Sequence, residues 1–287
     1  MQKKIYGGLA VAFTSPAVVG ALFRDGGVAQ ADIPHPEGRP WHPNEVAVVH
    51  SEGEKASALA IAQGDRMVKV DDQSAMGIKP RNKEQTLALA MLMDPKIQVV
   101  TLTGIAGSGK SLLAVAAGLQ QSFGARALFK KLIYIKSTEL VGKDLGFLPG
   151  SHEDKLSPFM GALHDCLGIL KAGDKDLEKL VGYEDKDKVQ KMSSQYIRGR
   201  TFRRAFLIVD EAQNFSTYEL KLLLTRLDDE SKIAILGDVD QSDVNLRDGQ
   251  DGLVQVVERF KDSDMFAHLN LLKSERSKLA QLVGERL

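Results

Sequence analysis

Cysteine and net charge are both scarce in this 287-residue chain. The single cysteine, Cys166, excludes an intrachain disulfide and suits a reducing compartment. It lies in the apolar helical pattern 159–167 and reads as a small buried hydrophobe, not a nucleophile. The six histidines show neither H-x-x-x-H nor Cys/His spacing, so no structural zinc is expected. Lysine plus arginine and aspartate plus glutamate each number 38, giving a formal net charge of zero. Any contact with nucleic acid must therefore come from local patches and not from a global basic field. What is present is ordinary for a globular protein: 43% apolar and 26% charged residues, at a length that suits one large domain or one domain plus a small module.

The N-terminus imitates a secretory signal, with Lys3-Lys4, an apolar run to Phe23 and then Ala29-Gln30-Ala31. Ser15-Pro16 breaks that run as an N-cap followed by proline at the first helical position. Arg24 and Asp25 separate it from the supposed cleavage site. We expect a retained segment: a strand over Lys4–Phe13, then a helix from Pro16 to Arg24 that stops at Gly26-Gly27. Residues 32–44 carry four prolines and read as an irregular connector. Glu45–His50, Ala58–Ala62 and Arg66–Val70 then read as short strands. Residues 1–77 form a small β-rich module in this reading, and 78–287 the main domain, entered by a helix from Lys83 to about Met93.

The main domain is organised around Gly104-Ile105-Ala106-Gly107-Ser108-Gly109-Lys110-Ser111, which fits G-x-x-x-x-G-K-[ST]. A β-branched apolar run, 97–103, precedes it, and a strong helix former, 112–120, follows. Strand, glycine-rich turn and helix make a phosphate-binding loop, in which successive N–H groups and the helix N-terminus attract anions. The expected nucleotide contacts are Gly104, Ala106, Gly107, Ser108, Gly109, Lys110, Ser111 and Leu112. Lys110 brings a full charge to the β- and γ-phosphates, and the Ser111 hydroxyl is placed to ligate Mg²⁺.

Downstream, Lys131–Lys136 reads as a second strand, 142–150 as a glycine-punctuated loop, and a helix is expected from about Ser157. Residues 171–192 are dense in charge with almost no apolar periodicity and read as a solvated insertion. Ala205–Glu211 is an apolar strand ending in two acids, a Walker B pattern. Asp210 would hold Mg²⁺ through a water, and Glu211 would orient and deprotonate the attacking water. The strand Lys232–Leu236 ends in Gly237-Asp238-Val239-Asp240-Gln241, whose polar end could reach a γ-phosphate, and Phe266–Leu272 reads as a last strand. Two basic runs, Lys130-Lys131 and Arg198–Arg204, are candidates for nucleic-acid contact.

The order and spacing of Walker A, Asp-Glu-Ala-Gln at 210–213 and Gly-Asp-x-x-Gln at 237–241 are those of superfamily 1 helicases. More closely, the chain resembles the PhoH family of P-loop ATPases. The resemblance rests on Gly-Phe-Leu-Pro-Gly at 146–150, Ile-Arg-Gly-Arg at 197–200, Asp-Glu-Ala-Gln-Asn at 210–214, Leu-Thr-Arg at 224–226 and Glu-Arg-Ser-x-Leu-Ala at 275–280. Residues 44–84 also resemble the connector before the ATPase in PhoH proteins fused to a PIN ribonuclease domain. Lys136-Ser137 stands where the family usually has Arg-Pro. The resemblance implies an α/β, RecA-like P-loop NTPase: a parallel sheet flanked by helices, with the Gly-Asp-x-x-Gln strand between the P-loop and Walker B strands. It implies ATP and Mg²⁺ as cofactors, Gln85 as the glutamine that reads adenine, Gln241 as γ-phosphate sensor and Arg276 as neutraliser of transition-state charge. The helicase-like motif order and the two basic runs point to RNA or single-stranded nucleic acid as a partner. One RecA-like domain leaves the γ-phosphate side open, so a homo-oligomer such as a hexameric ring is expected to close it. The lone cysteine and the need for nucleotide point to the cytoplasm, without membrane contact. Two other functions compete: a nucleotide-gated scaffold, against which Glu211 argues, and a P-loop kinase, for which no acceptor lid is visible.

Overall fold

The computed structural model describes residues 5–53, 55–123, 127–137, 160–173, 188–241 and 251–275. The first third of the chain builds a five-stranded sheet from β1 (Leu9–Thr14), β2 (Gly27–Ala29), β3 (Val46–Ser51), β4 (Ser57–Gln63) and β5 (Arg66–Lys69). Its order is β1-β3-β4-β5-β2, parallel between β1 and β3 and antiparallel elsewhere. Period-two alternation turns Ala10, Ala12, Ala47, Val49, Ala60 and Met67 to one face. Helix α1 (Pro16–Asp25) seals that face with Val19 and Leu22, and Trp41 closes it from the connector. The alanines leave room for the helix to approach closely. Ser15 caps α1 through the Val18 N–H, and Gly26 ends it in the left-handed region at φ 71°, as the sequence signals required.

Two expectations need correction here. β1 begins at Leu9, short of the expected strand Lys4–Phe13, whose first residue lies outside the described ones: Gly8 still accepts the Val46 N–H of β3 at 3.0 Å, but its φ of 73° breaks the extended run, and the Gly7 carbonyl turns to accept the Asn270 N–H of the second sheet at 3.1 Å. The strand β2, pairing with β5, went unread behind the turn glycines.

A second sheet contains β6 (Val99–Gly104), β7 (Lys131–Lys136), β8 (Val189–Ser193), β9 (Ala205–Asp210), β10 (Lys232–Gly237) and β11 (Phe266–Leu271). They form one sheet in the order β11-β6-β10-β9-β7-β8, parallel throughout. Every residue of β6, β9 and β10 is buried, which explains their unbroken apolar runs. Helices α2 (Lys83–Met93), α3 (Lys110–Ser122) and α4 (Gly161–Gly173) cover one face, with Cys166 buried among them. Helices α5 (Thr217–Leu224) and α6 (Gly252–Phe260) cover the other. The result is an α/β, RecA-like arrangement, with β10 lying between the P-loop strand β6 and the Walker B strand β9.

β8 corrects the reading of 171–192 as a solvated insertion. Residues 189–193 pair with β7 at the sheet edge, where only Met192 and Ser193 are buried. An edge strand needs little apolar surface, so its charge hid it. The loop at 142–150 and the start of the helix expected from Ser157 lie outside the described residues.

The two sheets share a seam. Val46 and Ile61 of the first join the core formed by α2, α3 and the second. Asn44 donates to the carbonyls of Asp264 and Phe266 at 2.7 and 2.9 Å, and the Tyr6 N–H donates to Glu258 at 2.7 Å. Gly8, at φ 73°, lies so close to β11 that a β-carbon there would collide with the His268 carbonyl. Among the described residues, no helix is long and apolar enough to cross a membrane.

Candidate functional site

The site lies along the carboxyl edge of the parallel sheet, where ligands bind in open α/β folds. β6 delivers the chain to Gly104, whose φ of 133° lets it pass beneath the Leu271 carbonyl, with no room for a β-carbon. The loop then turns into α3. The start of that helix differs from four others. Ser15, Asn82, Ser216 and Asp251 cap α1, α2, α5 and α6 with their side chains. The N-cap of α3 is Gly109, which makes no side-chain cap bond. The first-turn N–H groups of α3 therefore have no side-chain cap and suit an anion. Lys110 reaches back over the same loop, donating to the carbonyls of Gly104 and Ile105 at 2.6 and 3.0 Å.

Register brings the Walker B acids to this edge. Lys136 of β7 aligns with Asp210 of β9. The Ser111 hydroxyl donates to Asp210 Oδ1 at 3.3 Å, so α3 and β9 bring two oxygens together. A hydroxyl and a carboxylate oxygen at that separation fit a hard divalent cation such as Mg²⁺. The Tyr134 hydroxyl, buried in β7, donates to the other oxygen, Oδ2. Burial raises the Asp210 pKa, and the Tyr134 hydrogen bond works against that rise. Burial beside the same carboxylate raises the Tyr134 pKa, so its hydroxyl stays a donor. The Cys166 thiol, pushed up to about 12 by burial, stays protonated at neutral pH.

Glu211 sits in the left-handed region at φ 55°, which turns the chain sharply away from β9. Gln213, 2% exposed, ties this turn to the end of β10. Its Nε2 donates to Glu211 Oε2 at 2.8 Å and to the Gln241 carbonyl at 3.2 Å, and its Oε1 accepts the Asp238 N–H at 3.0 Å. Gln241 itself is exposed at the end of the described turn. Tyr134 and Gln213 carried no role in the sequence reading. Gln213 stood in the quoted Asp-Glu-Ala-Gln motif, whereas Tyr134 stood in an apolar strand with nothing to mark it.

The expected adenine reader, Gln85, is buried at the start of α2 and holds the loop from beneath. Its Oε1 accepts the Arg81 N–H at 2.9 Å, and its Nε2 donates to the Ser108 carbonyl at 3.0 Å. The chain leaving β11 crosses over the loop. The N–H groups of Leu272 and Lys273 donate to Glu84 at 2.8 and 3.2 Å, and the Glu275 N–H donates to the Gly107 carbonyl at 3.0 Å. Asn82 donates to Glu275 at 2.6 Å. Arg276 lies outside the described residues.

Comparison with known proteins bears on the same region. The family model described as PhoH-like protein matches residues 77–286. Protein PhoH2 of Bacillus subtilis (strain 168) is 41% identical over 253 residues, covering 86% of this chain and 57% of its own. Protein PhoH2 of Mycolicibacterium smegmatis is 34% identical over 272 residues, covering 94% and 60%. Protein PhoH of Escherichia coli (strain K12) is 30% identical over 242 residues, covering 81% and 65%. The chain thus spans less than two thirds of each of these relatives. Among solved structures, the large terminase of a thermophilic bacteriophage in complex with ADP aligns at a TM-score of 0.40 with 12% identity, covering 72% of this chain and 50% of that one.

Proposed function

This chain belongs to the PhoH-like protein family, and from that premise we propose that it binds ATP with Mg²⁺ at the loop 104–111 and hydrolyses it, in a cycle coupled to RNA. The observation that carries this reading is the meeting of Ser111 and Asp210 at 3.3 Å beside the helix start that lacks a side-chain cap. Lys110 exchanges its loop carbonyls for the β- and γ-phosphates when nucleotide arrives. Ser111, and Asp210 through a water, would hold a Mg²⁺ ion, which would neutralise phosphate charge. Glu211 takes the proton of the attacking water, and Gln213 holds its carboxylate in place from the side. Gln241 senses the γ-phosphate. Gln85 braces the loop beneath the nucleotide, with adenine contact as a second duty of the same amide.

Arg276 supplies positive charge to the transferred phosphate. The Glu275 bond to Gly107 fastens the preceding residue to the loop of its own chain, which favours action in cis. Assembly into a homo-oligomer and a cytosolic location, where ATP is abundant, complete the proposal.

The test is ATP binding by calorimetry together with steady-state turnover. Lys110→Ala abolishes binding. Glu211→Gln keeps affinity within a few-fold and lowers turnover by about 10²–10⁴. Wild-type turnover in Glu211→Gln removes it from the general-base role, and unchanged affinity in Lys110→Ala removes the nucleotide site.

A further inference from the structure

The basic run Arg198–Arg204 is two surfaces and not one. At its far end, the Arg204 N–H donates to Asp228 at 3.3 Å, and its guanidinium lies 4.0 Å from Glu230. Asp228 thus holds its backbone, and Glu230 stands within ion-pair range of its charge. At its near end, Arg198 and Arg200 are exposed in the turn that follows β8. The Arg198 guanidinium lies 6.0 Å over the ring of Tyr218, which is 61% exposed in the first turn of α5. Tyr196, two residues before Arg198, is 44% exposed. Beneath this ledge Ile197, Phe202, Leu220 and Leu223 are fully or almost fully buried, so two rings and two guanidiniums face outward with no exposed aliphatic side chain among them.

We propose that this ledge, Tyr196, Arg198, Arg200 and Tyr218, is the docking surface for single-stranded RNA, the tyrosines stacking bases and the arginines holding phosphates. The proposal rests on the RNA-coupled reading above and gives it a location. A ring face accepts any base, and an exposed guanidinium accepts phosphate, which is the chemistry of single-strand binding. A duplex hides its base faces and cannot use the rings. A protein partner would need an apolar centre, and the aliphatic residues here are turned inward.

Position adds a second argument. Ser193 at the end of β8 aligns with Lys136, and Lys136 aligns with Asp210. The turn carrying Tyr196 and Arg198 thus leaves the sheet at the same carboxyl edge as the Walker B acids. Tyr218 stands on the helix whose cap, Ser216, lies one residue, Phe215, beyond the turn Ala212–Asn214 that Glu211 opens. A strand bound on the ledge would press on both elements that border the acids.

The test is fluorescence anisotropy with a labelled oligouridylate of about twelve nucleotides, within the site sizes of single-strand binding folds, without ATP, over a series of salt concentrations. Tyr218→Ala and Tyr196→Ala weaken binding about tenfold or more, whereas Tyr218→Phe keeps it. Arg198→Ala weakens binding and lowers the salt slope by about one, whereas Arg204→Ala changes neither. The same variants retain basal ATP turnover, which also certifies their fold. If wild-type protein binds the oligomer and the ledge variants bind it equally well, the ledge is wrong and RNA coupling survives. If wild-type protein hydrolyses ATP yet binds no oligomer, ledge and RNA coupling fall together while the nucleotide site stands.

Discussion

Gln213 shows how much of the site depends on one uncharged side chain. Its carboxamide joins Glu211 to the backbone of Asp238 and Gln241, so the end of β9 and the turn after β10 share one brace. Gln213→Ala removes all three bonds and leaves the buried Asp238 N–H without its acceptor. We expect a turnover loss of about 10–100-fold with ATP affinity nearly unchanged, and a stability loss of about 1–3 kcal/mol. Separate calorimetric and kinetic measurements check this; a rise in KM with kcat unchanged would instead mark a binding role. Motif chemistry made Lys110, Ser111, Asp210 and Glu211 legible as candidates, because each needs a fixed residue type at a fixed spacing. Gln213 and Tyr134 were legible as letters only. Their partners come from other strands, and a sequence does not say that Tyr134 and Asp210 face each other until the register of β7 on β9 is known.

The elements that follow simple physics were readable. The capped helix α1, the buried strands β6, β9 and β10, and the helix after the loop all carry propensity, burial pattern and punctuation that agree. β8 was hidden because an edge strand can be polar on most of its length, and β2 because three residues carry too little pattern. The segment leaving β11 is a third case: its backbone bonds to Glu84 and Gly107 have no signature in its own residues. That segment bears directly on Arg276. With Glu275 held on its own loop, Arg276→Ala lowers turnover by about 10³ while sparing ATP affinity. Mixing it with Lys110→Ala subunits restores nothing, because neither chain then holds a complete site. Recovery of activity in mixed oligomers would assign the arginine to a neighbouring subunit.

At the scale of the whole molecule, stability should depend on the seam between the two sheets. His268 of β11 is buried there, its Nδ1 2.7 Å from the Thr101 hydroxyl, with the Tyr6 ring beside it and Glu258 nearby. Burial lowers its pKa from 6.5 to about 4, so it stays neutral in the fold. Between those values the unfolded chain binds the proton and the folded chain does not. Stability is therefore full above pH 6.5 and falls as pH drops toward 4, by an amount on the order of 3 kcal/mol. Urea unfolding at fixed ionic strength checks this. His268→Leu, which cannot titrate, flattens the slope over that window, and an unchanged slope would place the acid sensitivity elsewhere.

The contact of Gly8 with β11 also has a mechanical meaning. The Asn270 N–H donates to the Gly7 carbonyl at 3.1 Å, and β11 in turn lies beside β6 along its full length. Tension applied ahead of Tyr6 would load β11 in shear and pass sideways into the strand that ends at Gly104. The same path runs backwards: any nucleotide-driven shift of the loop strand would be felt as a displacement of the first sheet. One path of hydrogen bonds thus joins the N-terminal sheet to the loop, and a load on either would be a load on both.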